Sequence, residues 1–381
     1  MPKVLYLFLK EDKHCQLNHK GTLKMNNKPN RPQEPQPPFA YSIQEVTFEN
    51  TRDSITLAGT LTLPTKQEQS PAIVLIAGMG PNDRDYTMID HKMFLVIADY
   101  LTKKGIAVLR YDKRGVGQST GTFDTTLTSK EFAQDALAGI AYLKTRDDIN
   151  HKQIGLVGHS EGGMIAPMVA EHSQDIAFLV LMAGAFATNI DHIIEHIAMQ
   201  LKADGATDEM ITIDRTIRRK LLEIVIQEKD PAIAANQLRK IIDTYLDSLT
   251  EDQKKEAETL PFAIKENNAE NLIAIFNSPW YRFFFSYDPT STLKNNTIPT
   301  LTINGDLDFI ASSKVILPIV TQALKESENS DFTVLELPNM NHWFQTCKTG
   351  AMAEYGTIEE TISPEVLQLI TQWILDRTKR K

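Results

Sequence analysis

The chain has 381 residues, of which 42% are hydrophobic and 23% charged, and it carries a formal net charge of −9. That length is ample for a buried core and allows one large domain with an insertion, or two domains. The negative balance argues against nucleic acid or an anionic membrane as the main partner. Cys15 and Cys347 lie too far apart in sequence to define a disulfide framework or a metal-ligand spacing.

Residues 4–9 are apolar and follow Lys3, which hints at a secretory signal, but the run is short and ends at Lys10-Glu11-Asp12-Lys13 with no small-x-small cleavage site. Cytoplasmic and periplasmic or secreted locations both stay open. Residues 1–40 read as an N-terminal extension whose proline-rich part, 28–38, is an extended linker and not a packed element. Alternating segments at 42–49 and 55–63 read as an antiparallel strand pair. The continuous apolar run 72–77 has the pattern of a strand buried on both faces. A helix at 92–103 and a strand at 106–110 follow. Thr128 and Glu131 form a capping box that opens a helix with Phe132, Ala136, Ile140 and Leu143 on one face. Another strand and helix come next, with Pro167 expected to kink or shorten the helix. The longest apolar run, 177–187, has eleven residues. It is too short to span a bilayer and reads as a buried strand, so no integral membrane segment is expected.

Strands alternating with helices imply a mostly parallel sheet with helices on both faces. The alternation stops at 188–290, where only helical periodicity is found, and this stretch reads as an inserted all-helical lid. The remaining parts, 41–187 and 291–381, form the α/β core. Within the second part, strands are expected at 300–304 and 332–337, and a last helix starts at Ser363-Pro364-Glu365.

The chemistry centres on Gly158-His159-Ser160-Glu161-Gly162, set between a strand-like and a helix-like segment. Such a sharp turn lifts a serine hydroxyl out of the sheet as a nucleophile. A serine nucleophile needs a base, a group that orients the base, and donors for the oxyanion. In an α/β-hydrolase fold these residues follow in the order Ser, acid, His at strand ends. His342 is the only histidine beyond His196, which makes it the base. Asp306 and Asp308 both qualify as the acid, and the Gly-x-x-Asp spacing that lets the loop clear the strand end favours Asp308. The oxyanion donors are the backbone N–H of Glu161 and that of a residue in the loop after 72–77, taken as Met79. The Glu161 carboxylate itself reads as a satisfied first-turn acid. The charge-dense loops Asp83-Arg84-Asp85 and Asp112-Lys113-Arg114 read mainly as structural ion-pair networks that shape the site. Gly115-x-Gly117 lacks the third glycine of a dinucleotide site, since position 120 is threonine. Trp280 and Phe284, in the aromatic cluster at 280–285, either line an acyl pocket or pin the lid.

Taken together, these motifs resemble a bacterial α/β-hydrolase family of serine esterases. Gly78-Met79-Gly80-Pro81-Asn82-Asp83-Arg84-Asp85 is similar to its first signature loop. Asp112-Lys113-Arg114-Gly115, Gly158-His159-Ser160-Glu161-Gly162-Gly163, Tyr287-Asp288-Pro289, Gly305-Asp306-Leu307-Asp308 and Asn341-His342-Trp343-Phe344-Gln345 look like the signatures that follow. The resemblance runs over roughly 41–373. It implies a carboxylesterase acting on short acyl esters through an acyl-enzyme, with no cofactor and a small-molecule ester as its partner. It also supports Asp308 as the acid. Met79 stands where the family usually carries a small residue. A thioesterase, amidase or peptidase shares the same residues, and a catalytically silent binding protein shares the fold.

Overall fold

The computed structural model describes residues 15–17, 23–25 and 30–379, apart from 66–68, 125 and 188. The apolar segment at 4–9 lies outside the described residues. The main sheet has eight strands: β1 (Tyr41–Asn50), β2 (Ile55–Pro64), β3 (Ser70–Ile76), β4 (Ala107–Tyr111), β5 (Ile149–His159), β6 (Phe178–Met182), β7 (Thr300–Gly305) and β8 (Phe332–Leu337). Their spatial order is β8-β7-β6-β5-β3-β4-β2-β1. β1, β2 and β4 pair antiparallel, and every pairing from β4 across to β8 is parallel. The central strands β3, β4 and β6 are buried along their whole length, which is why they read as continuous apolar runs and not as alternations.

Helices cover both faces of the sheet. On one side lie α1 (Met93–Lys103) and the last helix (Pro364–Thr378), with Phe94, Ile97, Leu101, Val366, Ile370 and Trp373 packed beneath them. The other side holds α2 (Ser129–Leu143), α3 (Glu161–Ala170) and the helix Ser313–Glu326. The capping box at Thr128 forms as the sequence implies, with the Glu131 carboxylate accepting the Thr128 N–H at 2.8 Å. α3 runs through Pro167 and stops three residues later at Ala170.

Among the described residues no strand lies between β6 and β7. Seven α-helices fill that stretch, beginning with α4 (Ile190–Ala203) and followed by Asp208–Gln227, Pro231–Ser248, Glu251–Thr259, Ala269–Phe276, Pro279–Ser286 and Pro289–Lys294. They build apolar centres of their own, one around Leu221, Leu238 and Ile242 and another around Leu201, Met210 and Leu260. The helix Pro289–Lys294 is different. Its Leu293 packs into the core beneath the sheet, so the boundary expected at 290 falls inside an element that belongs to the core.

The proline-rich segment also departs from expectation. Arg31 is buried, and its guanidinium donates to the carbonyls of Ile358 at 2.9 Å, Ile89 at 3.1 Å and Gly356 at 3.1 Å. The Gln33 amide donates to the Ile362 carbonyl at 2.7 Å and accepts from the Thr361 N–H at 2.6 Å. Arg31 and Gln33 are therefore tied to the body through Ile89 and through partners more than three hundred positions away, which no local composition reveals.

The loop after β4 is anchored from below. Arg114 donates to both oxygens of the buried Asp135, at 2.8 and 2.7 Å, and to Asp53 at 2.7 Å. Removing one member of such a pair strands the other charge in low dielectric. Arg114→Met is expected to lower stability by about 3–5 kcal/mol in urea unfolding. Arg114→Met with Asp135→Leu should regain most of the loss, because the carboxylate then left without Arg114 is Asp53, which is partly exposed to water.

Candidate active site

β5 ends at His159 and α3 begins at Glu161, so one residue makes the whole turn. Ser160 takes φ 57° and ψ −122°, a left-handed conformation that costs a non-glycine residue of order 1–3 kcal/mol and persists only where its surroundings enforce it. They do. The Ser160 N–H donates to the Met182 carbonyl at 2.9 Å, and the Ser160 carbonyl accepts from Gly163 at 2.9 Å and Ala185 at 3.2 Å. The flanking glycines are required by space. A Cβ on Gly162 would lie 2.0 Å from the Ile76 carbonyl oxygen, and one on Gly158 would lie 2.1 Å from the Gly162 carbonyl oxygen.

β7 and β8 deliver the other two residues to the same edge of the sheet. His342 Nδ1 lies 2.8 Å from Asp308 Oδ2, and Asp308 is fully buried. The other Asp308 oxygen accepts the N–H groups of Ile310 at 3.0 Å and Ala311 at 2.8 Å. Burial alone would raise the Asp308 carboxyl, but the facing His342 and these hydrogen bonds hold it below its ordinary value. An ionised Asp308 can only accept, so Nδ1 carries the proton and Nε2 is left as the basic nitrogen. Asp306 is half-buried and its nearest bond is a long 3.4 Å contact from the Met340 N–H. Of the two candidate acids, the structure brings Asp308 to His342.

A second histidine fixes the first. His159 Nε2 donates to the His342 carbonyl at 2.8 Å, and its Nδ1 accepts from the Tyr86 hydroxyl at 3.2 Å. The His342 N–H donates to the Tyr355 hydroxyl at 3.2 Å. Asn341 Oδ1 caps the loop by accepting the N–H groups of Trp343 and Gln345, both at 3.0 Å. His159 occupies a variable position of the Gly-x-Ser-x-Gly pattern, so its part in holding His342 had no signal in the motif.

The loop after β3 lies against the elbow. A Cβ on Gly78 would sit 2.9 Å from Ser160 Cβ, which puts the Gly78–Met79 peptide beside the serine. Asn82 Nδ2 gathers the loop by donating to the carbonyls of Gly78 at 2.8 Å, Met79 at 3.0 Å and Gly80 at 3.1 Å.

The Glu161 carboxylate, expected as a satisfied first-turn acid, finds its partners within the protein. It is buried, and its Oε1 accepts from the Ser129 hydroxyl and from the Trp280 indole N–H, each at 2.7 Å. The charged loops contribute both structural ion pairs and a contact to the site. Arg84 with Asp112 at 2.8 Å and Arg110 with Asp85 at 3.0 Å do form structural ion pairs. Lys113 instead points inward, 3.7 Å from Glu161 Oε2 and 2.5 Å from the Gly78 carbonyl. Trp280 stacks on Phe284 with ring centroids 5.3 Å apart while its N–H is held by Glu161.

From the helical stretch, α4 presents His192, His196 and Gln200 at four-residue spacing. The atoms His192 Nδ1, His196 Nε2 and Gln200 Oε1 are buried and make no hydrogen bond. His196 feels the charges of Asp308 and His342.

Solved structures share this architecture. The alpha/beta hydrolase GrgF from Penicillium sp. superposes with a TM-score of 0.54 over 89% of this chain and 100% of its own, at 17% identity. The Pyrococcus furiosus esterase Pf2001 matches with a TM-score of 0.50 over 92% of this chain and 97% of its own, at 15% identity. The chain has the α/β-hydrolase fold. Residues 88–254 match the family model described as serine aminopeptidase, S33. That match carries Ser160 and ends before Asp308 and His342. Esterase EstD of Thermotoga maritima is 35% identical over 199 residues, which cover 48% of this chain and 47% of the esterase. The polyketide transferase grgF of a Penicillium species is 29% identical over 133 residues, covering 35% of this chain and 42% of the transferase. The chain thus spans less than half the length of these curated relatives. Among the described residues no helix is long and apolar enough to cross a membrane.

Burial depresses three histidines around the site: His159 to about 3, and His91 and His196 to about 4. Each takes up a proton near pH 6.5 when unfolded but stays neutral in the native protein down to pH 3–4, so the unfolded state binds more protons in between. Stability is therefore expected to fall as the pH drops below about 6.5, by up to about 4 kcal/mol per pH unit near pH 5 from the three together. Urea unfolding between pH 5 and 7.5 measures this, and a flat profile would contradict buried neutral imidazoles.

Proposed function

We propose that this α/β-hydrolase is a serine carboxylesterase that cleaves short-chain acyl esters through an acyl-enzyme. The observation that carries the reading is the 2.8 Å pairing of His342 Nδ1 with the buried Asp308, at the same edge of the sheet as a Ser160 held at φ 57°. His342 Nε2 takes the Ser160 hydroxyl proton as Oγ attacks the ester carbonyl carbon. The carbonyl π pair moves onto oxygen, which the N–H groups of Glu161 and Met79 stabilise. His342 then gives its proton to the departing alkoxide as the C–O bond breaks, leaving an acyl-Ser160 and an alcohol. Water repeats the sequence, with His342 again as base, and releases the carboxylic acid. Asp308 stays ionised, keeps His342 in the tautomer with Nε2 unprotonated, and offsets the imidazolium charge in each tetrahedral state.

The helical stretch at 188–290 serves in this reading as a lid over the acyl site. Trp280 and Phe284 form part of its inner wall, and Trp280 fastens the lid to Glu161. The esterase and structural relatives support the reaction class, and the substrate range rests on the lid.

The expected result with purified protein is turnover of p-nitrophenyl acetate and butyrate that Ser160→Ala abolishes. No Ser160-dependent turnover at any acyl length would sink the proposal. Asp308→Asn should lower kcat by roughly 10³–10⁴-fold, the loss expected when the orienting acid is neutralised. Asp306→Asn should leave kcat within a few-fold. The reverse ranking would move the acid to Asp306.

A further inference from the structure

The steps above leave one buried charge pair beside Ser160 without a task. Lys113 and Glu161 are 4% and 2% exposed, with Lys113 Nζ 3.7 Å from Glu161 Oε2 and 4.4 Å from the centre of the Phe132 ring. Burying an ammonium is costly unless it is paired and hydrogen-bonded, and burial pulls the Lys113 pKa down against the opposing pull of Glu161. The direct hydrogen bond that Nζ makes is to the Gly78 carbonyl, at 2.5 Å. Asn82 Nδ2 donates to the same oxygen at 2.8 Å.

That carbonyl is one end of the Gly78–Met79 peptide, and the Met79 N–H is the other. In a planar trans peptide the two point in opposite directions, so whatever fixes the carbonyl also aims the N–H. Gly78 lies directly against the Ser160 side chain. A cation on the carbonyl oxygen also polarises the peptide and makes its N–H a stronger donor. The Glu161 carboxylate that balances Lys113 belongs to the residue supplying the other oxyanion N–H, and the Ser129 hydroxyl and Trp280 indole N–H hold it in place. Both donors are thereby connected through one charge pair.

We propose that Lys113, balanced by Glu161 and assisted by Asn82, is a positioning residue that orients and polarises the Gly78–Met79 peptide toward the oxyanion. The inference rests on the acyl-transfer reading of Ser160. Its signature is a loss confined to tetrahedral states. A change in the ground state, or a smaller folded fraction, would not produce it.

The test compares the unaltered protein with Lys113→Met/Glu161→Gln, which removes the pair without leaving a lone charge, and with Asn82→Ala. Each is checked by thermal unfolding. For the double variant, kcat on p-nitrophenyl acetate should fall roughly 10²-fold with KM within about twofold, since a lost oxyanion donor costs 10²–10³. The inhibition constant of an alkylboronic acid, which forms a tetrahedral adduct with the serine, should rise by a similar factor. Asn82→Ala should show the same pattern at roughly tenfold, and it carries the test alone if the double variant does not fold. Folded variants that keep kcat within threefold would overturn the proposal. So would a fall in kcat with the boronic acid constant unchanged, because that marks a reduced population of intact sites. Calorimetry of boronic acid binding separates the two readings. An unaltered protein that binds it through Ser160 but cleaves no ester removes the esterase reading alone, and the variants' binding constants then decide the role of Lys113. A protein that neither binds nor cleaves removes both.

Discussion

The structure depends on the crowding where β5 turns into α3. There is no room for a side chain at Gly158 or Gly162, because the backbone of the neighbouring strand and of the new helix already occupies it. That compression forces Ser160 into its left-handed conformation and raises it above the edge of the sheet. The strain is tolerable because the turn is bonded on both sides, to Met182 at the end of β6 and to Gly163 and Ala185 beyond it. Since β6, β7 and β8 continue the sheet in parallel, their C-terminal loops reach the same edge as Ser160. Asp308 and His342 arrive there as a consequence of sheet order.

Around this edge the protein buries polar groups in connected chains. Tyr86, His159 and the His342 carbonyl form one chain, and Asp308 with the N–H groups of Ile310 and Ala311 forms another. Glu161, Lys113 and the Gly78 carbonyl form a third. In a low-dielectric interior each bond in such a chain is stronger, and each missing partner more costly, than in water. The helical stretch brings its own apolar centres to this frame and meets it at polar points, through the Trp280 indole on Glu161 and the buried face of α4 that carries His196.

Much of the frame was legible along the chain. The strands at 72–77 and 177–183 stood out because a strand covered on both faces must be apolar throughout, and the helix after Thr128 stood out because its cap is built from residues three apart. The proline-rich segment was misleading. Its composition describes an isolated chain, while Arg31 and Gln33 bond to groups near residue 360. For Glu161 the position at a helix start suggested a satisfied acid, and packing shows that Ser129, Lys113 and Trp280 are the groups that enclose it.

From local patterns alone, then, the sequence determined the strand and helix series, the nucleophile turn at Ser160 and the order in which an acid and a histidine follow it. These depend on periodicity, glycine spacing and chain order, which are properties of neighbouring residues. The sequence also favoured Asp308 over Asp306; the tertiary structure brings Asp308 to His342, and it decided what holds His342 in place and that Lys113 turns inward while Arg84 and Arg114 pair with surrounding carboxylates. Each of these is a contact between residues brought together by the stacking of parallel strands, and no spacing along the chain encodes the distance between them.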